Sequence, residues 1–182
     1  MSDTYENRIE PPLAGDETAT LIGSLERRRA TLAWKCGGLD AEGMRATVGA
    51  SAVTLGGLLK HLARVEEEKF SHMLHDRPFG EPWTTADWEA DPEWDWNSAA
   101  EDTPEQLMEL WSGAVARSRL LLAEALEHGG LDQLVRCTWL DGGSPSLRRM
   151  MIDLIEEYAR HTGHADLIRE SVDGLVGEDP PS

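Results

Sequence analysis

The run Glu156-Glu157-Tyr158-Ala159-Arg160-His161-Thr162-Gly163-His164 places a carboxylate and an imidazole four residues apart, at Glu157 and His161. At 3.6 residues per turn such a pair shares one face of a helix, so both side chains can reach one divalent cation. His61 lies in the middle of another apolar-striped stretch and offers a third ligand. Three protein ligands with a position left open make up a catalytic metal site. Imidazole with carboxylate suits Zn, Ni, Fe or Mn, and the residue types do not choose among them. His164, three residues after His161, can replace Glu157 as ligand or orient a ligand or substrate from outside the coordination sphere. The same spacing also allows Glu157 and His161 simply to pair with each other, and a mid-helix histidine can be hydrogen-bonded core.

The remaining chemistry-bearing residues read more plainly. His72, His75 and His128 fall near helix ends among polar neighbours. Cys36 sits at a helix C-terminus, where the dipole disfavours thiolate, and Cys137 lies in a linker beside Trp139. Two cysteines so far apart form neither a disulfide framework nor a Cys-based zinc motif. The paired glycines look like helix stops, not a phosphate cradle.

The elements that must position these residues are helical. A polar arm over 1–15 precedes a first helix from about Asp16 to Cys36. Asp16 is its N-cap, Leu21, Leu25 and Leu32 its inner stripe, Glu26 to Arg29 largely outside, and Gly37-Gly38 its stop. A second helix follows Thr54 with Leu55, Leu58, Leu59, Leu62, Val65, Phe70 and Met73 on one broad face. Glu66, Glu67 and Glu68 crowd the other side, which makes Glu66 either a solvated acid or a proton carrier. Residues 78–102 hold Trp83, Trp88, Trp94 and Trp96 among prolines and acids, without helical period. This insert is a long crossover folded on the helices, a lid, or a dimer contact. Thr103-Pro104-Glu105-Gln106 spells a capping box, opening a third helix that Gly129-Gly130 closes. Ser144-Pro145 opens a fourth, striped by Leu147, Met150, Met151, Leu154, Tyr158, His161, Ala165 and Ile168 and stopped by Gly174. A tail over 175–182 should fray. The expectation is a single all-α, four-helix bundle domain over 16–174, with any cofactor site in its core.

Composition agrees. The chain has 182 residues, 40% hydrophobic and 28% charged, with 17 basic against 34 acidic side chains and a formal net charge of −17. Such a surface suits neither a phosphate backbone nor an anionic membrane. No apolar run approaches the ~20 residues of a membrane span, and no signal peptide is legible at the start. A cytoplasmic protein with reduced thiols is expected.

Two segments resemble a known family. His61-Leu62-Ala63-Arg64-Val65-Glu66, together with Glu157-Tyr158-Ala159-Arg160-His161-Thr162-Gly163-His164-Ala165-Asp166, is similar to the DinB superfamily. The second run is similar to the subgroup holding mycothiol-dependent maleylpyruvate isomerase and the actinobacterial mini-circle proteins. The resemblance spans about Asp16 to Gly174 and includes the long Trp-rich insert between helices 2 and 3. It implies a four-helix bundle of DinB type with a divalent metal, zinc or else Ni, Fe or Mn, held by His61, Glu157 and His161. It also implies a low-molecular-weight thiol such as mycothiol, activated at that metal to attack an electrophilic small molecule in S-transfer or isomerisation. His164 and Glu66 are the candidate catalytic proton carriers, and Arg64 and Arg160, next to ligand positions, are either surface charges or the candidate groups for binding carboxylates of cofactor or substrate. A homodimer is compatible with the resemblance. Two other classes fit the same residues: a non-catalytic metal-binding or stress-associated protein, and a metal-assisted hydrolase.

Overall fold

Capping chemistry fixes where the helices begin. In the computed structural model, which describes residues 10–138 and 142–180, the Asp16 carboxylate accepts from the Ala19 N–H and starts α1 (Glu17–Cys36). Asp40 does the same for Gly43 and starts α2 (Ala41–Arg45). The Thr54 hydroxyl accepts from Gly57 at the head of α3 (Leu55–Glu66). α3 continues as a wider π-wound segment over Glu67–Leu74. A short α4 (Trp94–Asn97) and a 3-10 turn (Ser98–Glu101) precede α5 (Pro104–His128), whose Thr103–Gln106 capping box is fully formed. α6 spans Leu147–Asp173. Among the described residues no strand forms; Leu134 and Ser146 make an isolated antiparallel bridge. The all-α expectation therefore holds. No helix is long and apolar enough to cross a membrane among the described residues.

The chain divides into two compact units, one holding residues up to Leu58 together with those from Met151 onward, the other Leu59–Met150. In the first unit Leu25, Leu32, Met44, Leu55 and Leu58 are buried, as are Met151, Leu154, Tyr158, Ala165 and Ile168. The end of α1 is held by polar groups. Arg169 donates to the carbonyls of Lys35 and Gly37 at 3.0 and 2.7 Å, satisfying two acceptors the helix itself leaves open. The fully buried Lys35 ammonium lies 2.8 Å from the Asp166 carboxylate and over the Trp34 ring. Gly43 is needed small, because a Cβ there would meet Leu39 and Val172 at 3.2–3.4 Å. Gly174, at φ 77°, adopts the left-handed turn that ends α6.

In the second unit the insert folds on itself through its tryptophans. Trp83 and Trp88 each meet Trp94 edge-on, at 6.3 and 5.9 Å, and the Trp88 indole donates to the Trp83 carbonyl. Lys60 reaches from α3 to Asp102 at 2.5 Å and lies over the Trp94 ring. Glu67 holds the insert's start, accepting from the Gly80 N–H and facing Arg117 at 3.3 Å. The linker after α5 is pinned by backbone bonds from Arg136 and Cys137 to the Met73 carbonyl, and from Leu147 to Gln133.

Four expectations need correction. Arg29 is buried, paired with Glu26 at 2.7 Å, so the outer face of α1 is narrower than the charge pattern implies. Glu66 is fully buried and Glu67 nearly so; the acidic run is not a solvated face. The insert contains a helical turn, α4, too short for a periodicity reading. The last helix begins two residues late, with Ser146 rather than Ser144 as its cap. Trp139, Asp141, the first nine residues of the expected arm and the last two of the tail lie outside the described residues.

Candidate metal centre

His61 occupies the second turn-and-a-half of α3, where the apolar stripe of Leu58, Leu59 and Leu62 buries the helix around it. Its ring stacks on Trp96 at 4.4 Å with 22° between planes. Its Nδ1 lies 2.9 Å from Oδ2 of Asp95, which is only 1% exposed. A carboxylate only accepts, so Nδ1 carries the proton and Nε2 presents its lone pair. Burial pushes the Asp95 carboxyl up. The hydrogen bond and charge of His61 and the Arg64 guanidinium 3.6 Å away outweigh burial and hold it below the ordinary carboxylate range. A carboxylate behind a histidine is the usual support of an imidazole that ligates metal, fixing both tautomer and ring orientation.

On α6, Glu157 and His161 do share a face. Oε1 of Glu157 is 2.9 Å from His161 Nε2, and His161 Nδ1 is 3.3 Å from His164 Nδ1. Against the carboxylate, Nε2 must be the donor, so in this pair His164 donates to His161. A cation on Nε2 requires the opposite tautomer, with His161 donating to His164. Two donors on one tetrahedral ion at ~2.0–2.1 Å stand roughly 3.3 Å apart. The 2.9 Å separation is within a few tenths of an ångström of that. Burial lowers the His164 pKa, and the neighbouring His161 and Arg160 lower it further against the pull of Glu157, so its neutral form is favoured.

His61 on α3, and Glu157 with His161 on α6, each offer one ligand atom to a metal ion. Two imidazoles, a carboxylate and a supporting aspartate fit a divalent ion such as zinc by donor type.

The other expected residues fall differently. Glu66 is buried, with its carbonyl accepting from Ser118. Arg64 is half-buried with its guanidinium 4.2 Å over the Trp88 ring, so it is more than surface charge. Arg160 is exposed. His72, His75 and His128 contact the backbone carbonyls of Arg77, Leu121 and Glu124, in keeping with boundary roles. Cys36 is buried and its thiol is pushed up to about 12 by that burial, with Arg169 opposing, which removes it as a nucleophile. Asp95 and Trp96 escaped the sequence reading because nothing in an aperiodic, acid-rich insert marks which acid turns inward.

A family profile described as mycothiol-S-transferase matches residues 20–174, most of the chain. The chain belongs to that family. It is thereby a member of the DinB-like superfamily, as the two motifs indicated. The crystal structure of a conserved protein from Enterococcus faecalis resembles this mycothiol-S-transferase family member with a TM-score of 0.54 at 18% identity. The match covers 89% of this chain and 100% of that one. At that identity the likeness speaks for the fold alone. No curated protein sequence matches the chain.

Proposed function

We propose that the protein is a metal-dependent S-transferase that joins a low-molecular-weight thiol of the mycothiol kind to an electrophilic small molecule. The Glu157–His161 pair sharing one face of α6, with His61 backed by Asp95 on α3, carries this reading, and the family supports it. His61, Glu157 and His161 would hold a divalent ion, whose chemistry when bound would be Lewis acidity that lowers a thiol's pKa toward the nucleophilic thiolate.

The chain's own residues do the rest. Asp95 holds the Nδ1 proton of His61 and keeps that ring turned with its Nε2 lone pair available. His161 hands its Nδ1 hydrogen bond to the Nδ1 of His164, which leaves the His164 proton on Nε2 and makes His164 a positioning residue that holds the His161 ring rather than a base. Glu66, buried rather than solvated, is the carrier that takes the thiol's proton. Trp96 covers one face of the His61 ring and keeps water from it, which strengthens the electrostatics at that ligand.

The test is loss of monochlorobimane with mycothiol present. The reading expects a thiol-dependent rate that falls at least a hundredfold after chelation and in His161→Ala. Turnover without added thiol would replace it with hydrolysis, and tight metal binding with no turnover would replace it with a binding role.

A further inference from the structure

Within the Leu59–Met150 unit the tryptophan insert, α3 and its π-wound continuation frame a half-open cavity of about 520 Å³, a size typical of small-molecule sites. Its walls are aromatic: Phe79, Trp83 and Trp88, with Pro78 beside them. Trp83 is 3% exposed and held edge-on by Trp94, so this wall is fixed. His72 also lines the cavity and packs its ring against Phe79 at 5.0 Å.

The charge at the cavity is unusual for this chain. Among the described residues no acidic side chain lines it, and the permanent charge in its lining is Arg64. The Arg64 guanidinium lies flat over Trp88 at 4.2 Å, which fixes its plane. Its nearest counter-charge, Asp95, stands at 3.6 Å, and that oxygen already accepts from His61. The guanidinium makes no hydrogen bond among the described residues, so its fork of N–H donors is available to a carboxylate. Arg64 follows His61 by three residues on α3, one turn along the same face.

We propose that this cavity binds a flat aromatic acid, its ring between Trp83, Trp88 and Phe79 and its carboxylate on Arg64. The aromatic acid is the electrophile, presented one helical turn from His61. Calling the bound molecule the electrophile rests on the thiol-transfer reading; the binding itself does not.

Isothermal titration without thiol separates the two. Three probes are compared: 2-naphthoate, its neutral isostere 2-naphthamide, and cyclohexanecarboxylate, an anion without an aromatic ring. The expected result is saturable binding of naphthoate, at least tenfold weaker binding of each of the others, and loss of the naphthoate–naphthamide difference in Arg64→Gln. Thr84→Trp, which fills the cavity from an exposed lining position and leaves the Arg64 side chain itself unchanged, should abolish naphthoate binding. Equal binding of acid and amide by the native protein overturns the assignment. So does no binding of naphthoate up to its solubility limit, or naphthoate binding that survives Thr84→Trp. If circular dichroism shows Arg64→Gln unfolded, the three probes and the Thr84 variant decide. An enzyme inactive with every thiol would leave a positive binding result standing, and a negative one would leave thiol transfer untouched.

Discussion

Single side chains set the chemistry through their second partners. Asp95 is the clearest case: it accepts from Nδ1 of His61 and so sets the tautomer of that ring. Asp95→Asn should weaken divalent-metal affinity about 10–100-fold, measured by chelator competition, while Glu93→Gln, an exposed acid two residues away, should leave it unchanged. Equal affinities would mean that His61 is oriented by packing alone. The cysteines give a second prediction at this scale. Folding holds the Cys36 thiol neutral up to about 12, so it should stay silent to a disulfide reagent at pH 8 until the chain unfolds, whereas half-buried Cys137 should react in the native protein. Because the folded pKa is raised, the neutral thiol contributes stability below the ordinary thiol range near 9. That contribution fades as pH rises from there toward 12. Alkaline titration of the melting temperature should therefore show less decline in Cys36→Ala than in the native chain.

Helix starts and stops were legible because capping is local chemistry. Asp16, Thr54, Thr103 and Gly174 do in the structure what their identities and neighbours imply. Thr103→Ala, which removes the acceptor for the Gln106 N–H, should cost about 1 kcal/mol and lower the melting temperature by roughly 2–4 °C, with metal content unchanged. What the sequence concealed depends on distant partners. The π winding of Glu67–Leu74 leaves Phe70 and Met73 buried, as an α-helix would, so a periodicity count cannot separate the two. Arg29, Lys35 and Glu66 look like surface charges by type; only the groups that meet them in space make their burial tolerable. Asp95 belongs to the same class. Its partner His61 is 34 residues away, across an insert with no period to carry the register.

For the chain as a whole, two motifs far apart in sequence were enough to indicate the family, because they hold the candidate ligands, and the match over residues 20–174 bears the resemblance out. A ligand that binds the folded chain and not the unfolded one stabilises it by mass action, about 2.7 kcal/mol at a hundredfold excess over Kd. Adding zinc to chelator-treated protein should therefore raise the melting temperature by roughly 5–10 °C, and His61→Ala should remove that rise. The central claim is that one divalent ion is held by His61, Glu157 and His161. Elemental analysis by plasma mass spectrometry of metal-reconstituted, desalted protein tests it most directly. The account predicts close to one ion per chain in the native protein and less than a tenth of that in His61→Ala and in His161→Ala, each shown folded by circular dichroism. The same metal content in the variants as in the native chain, or none in the native chain, would contradict it.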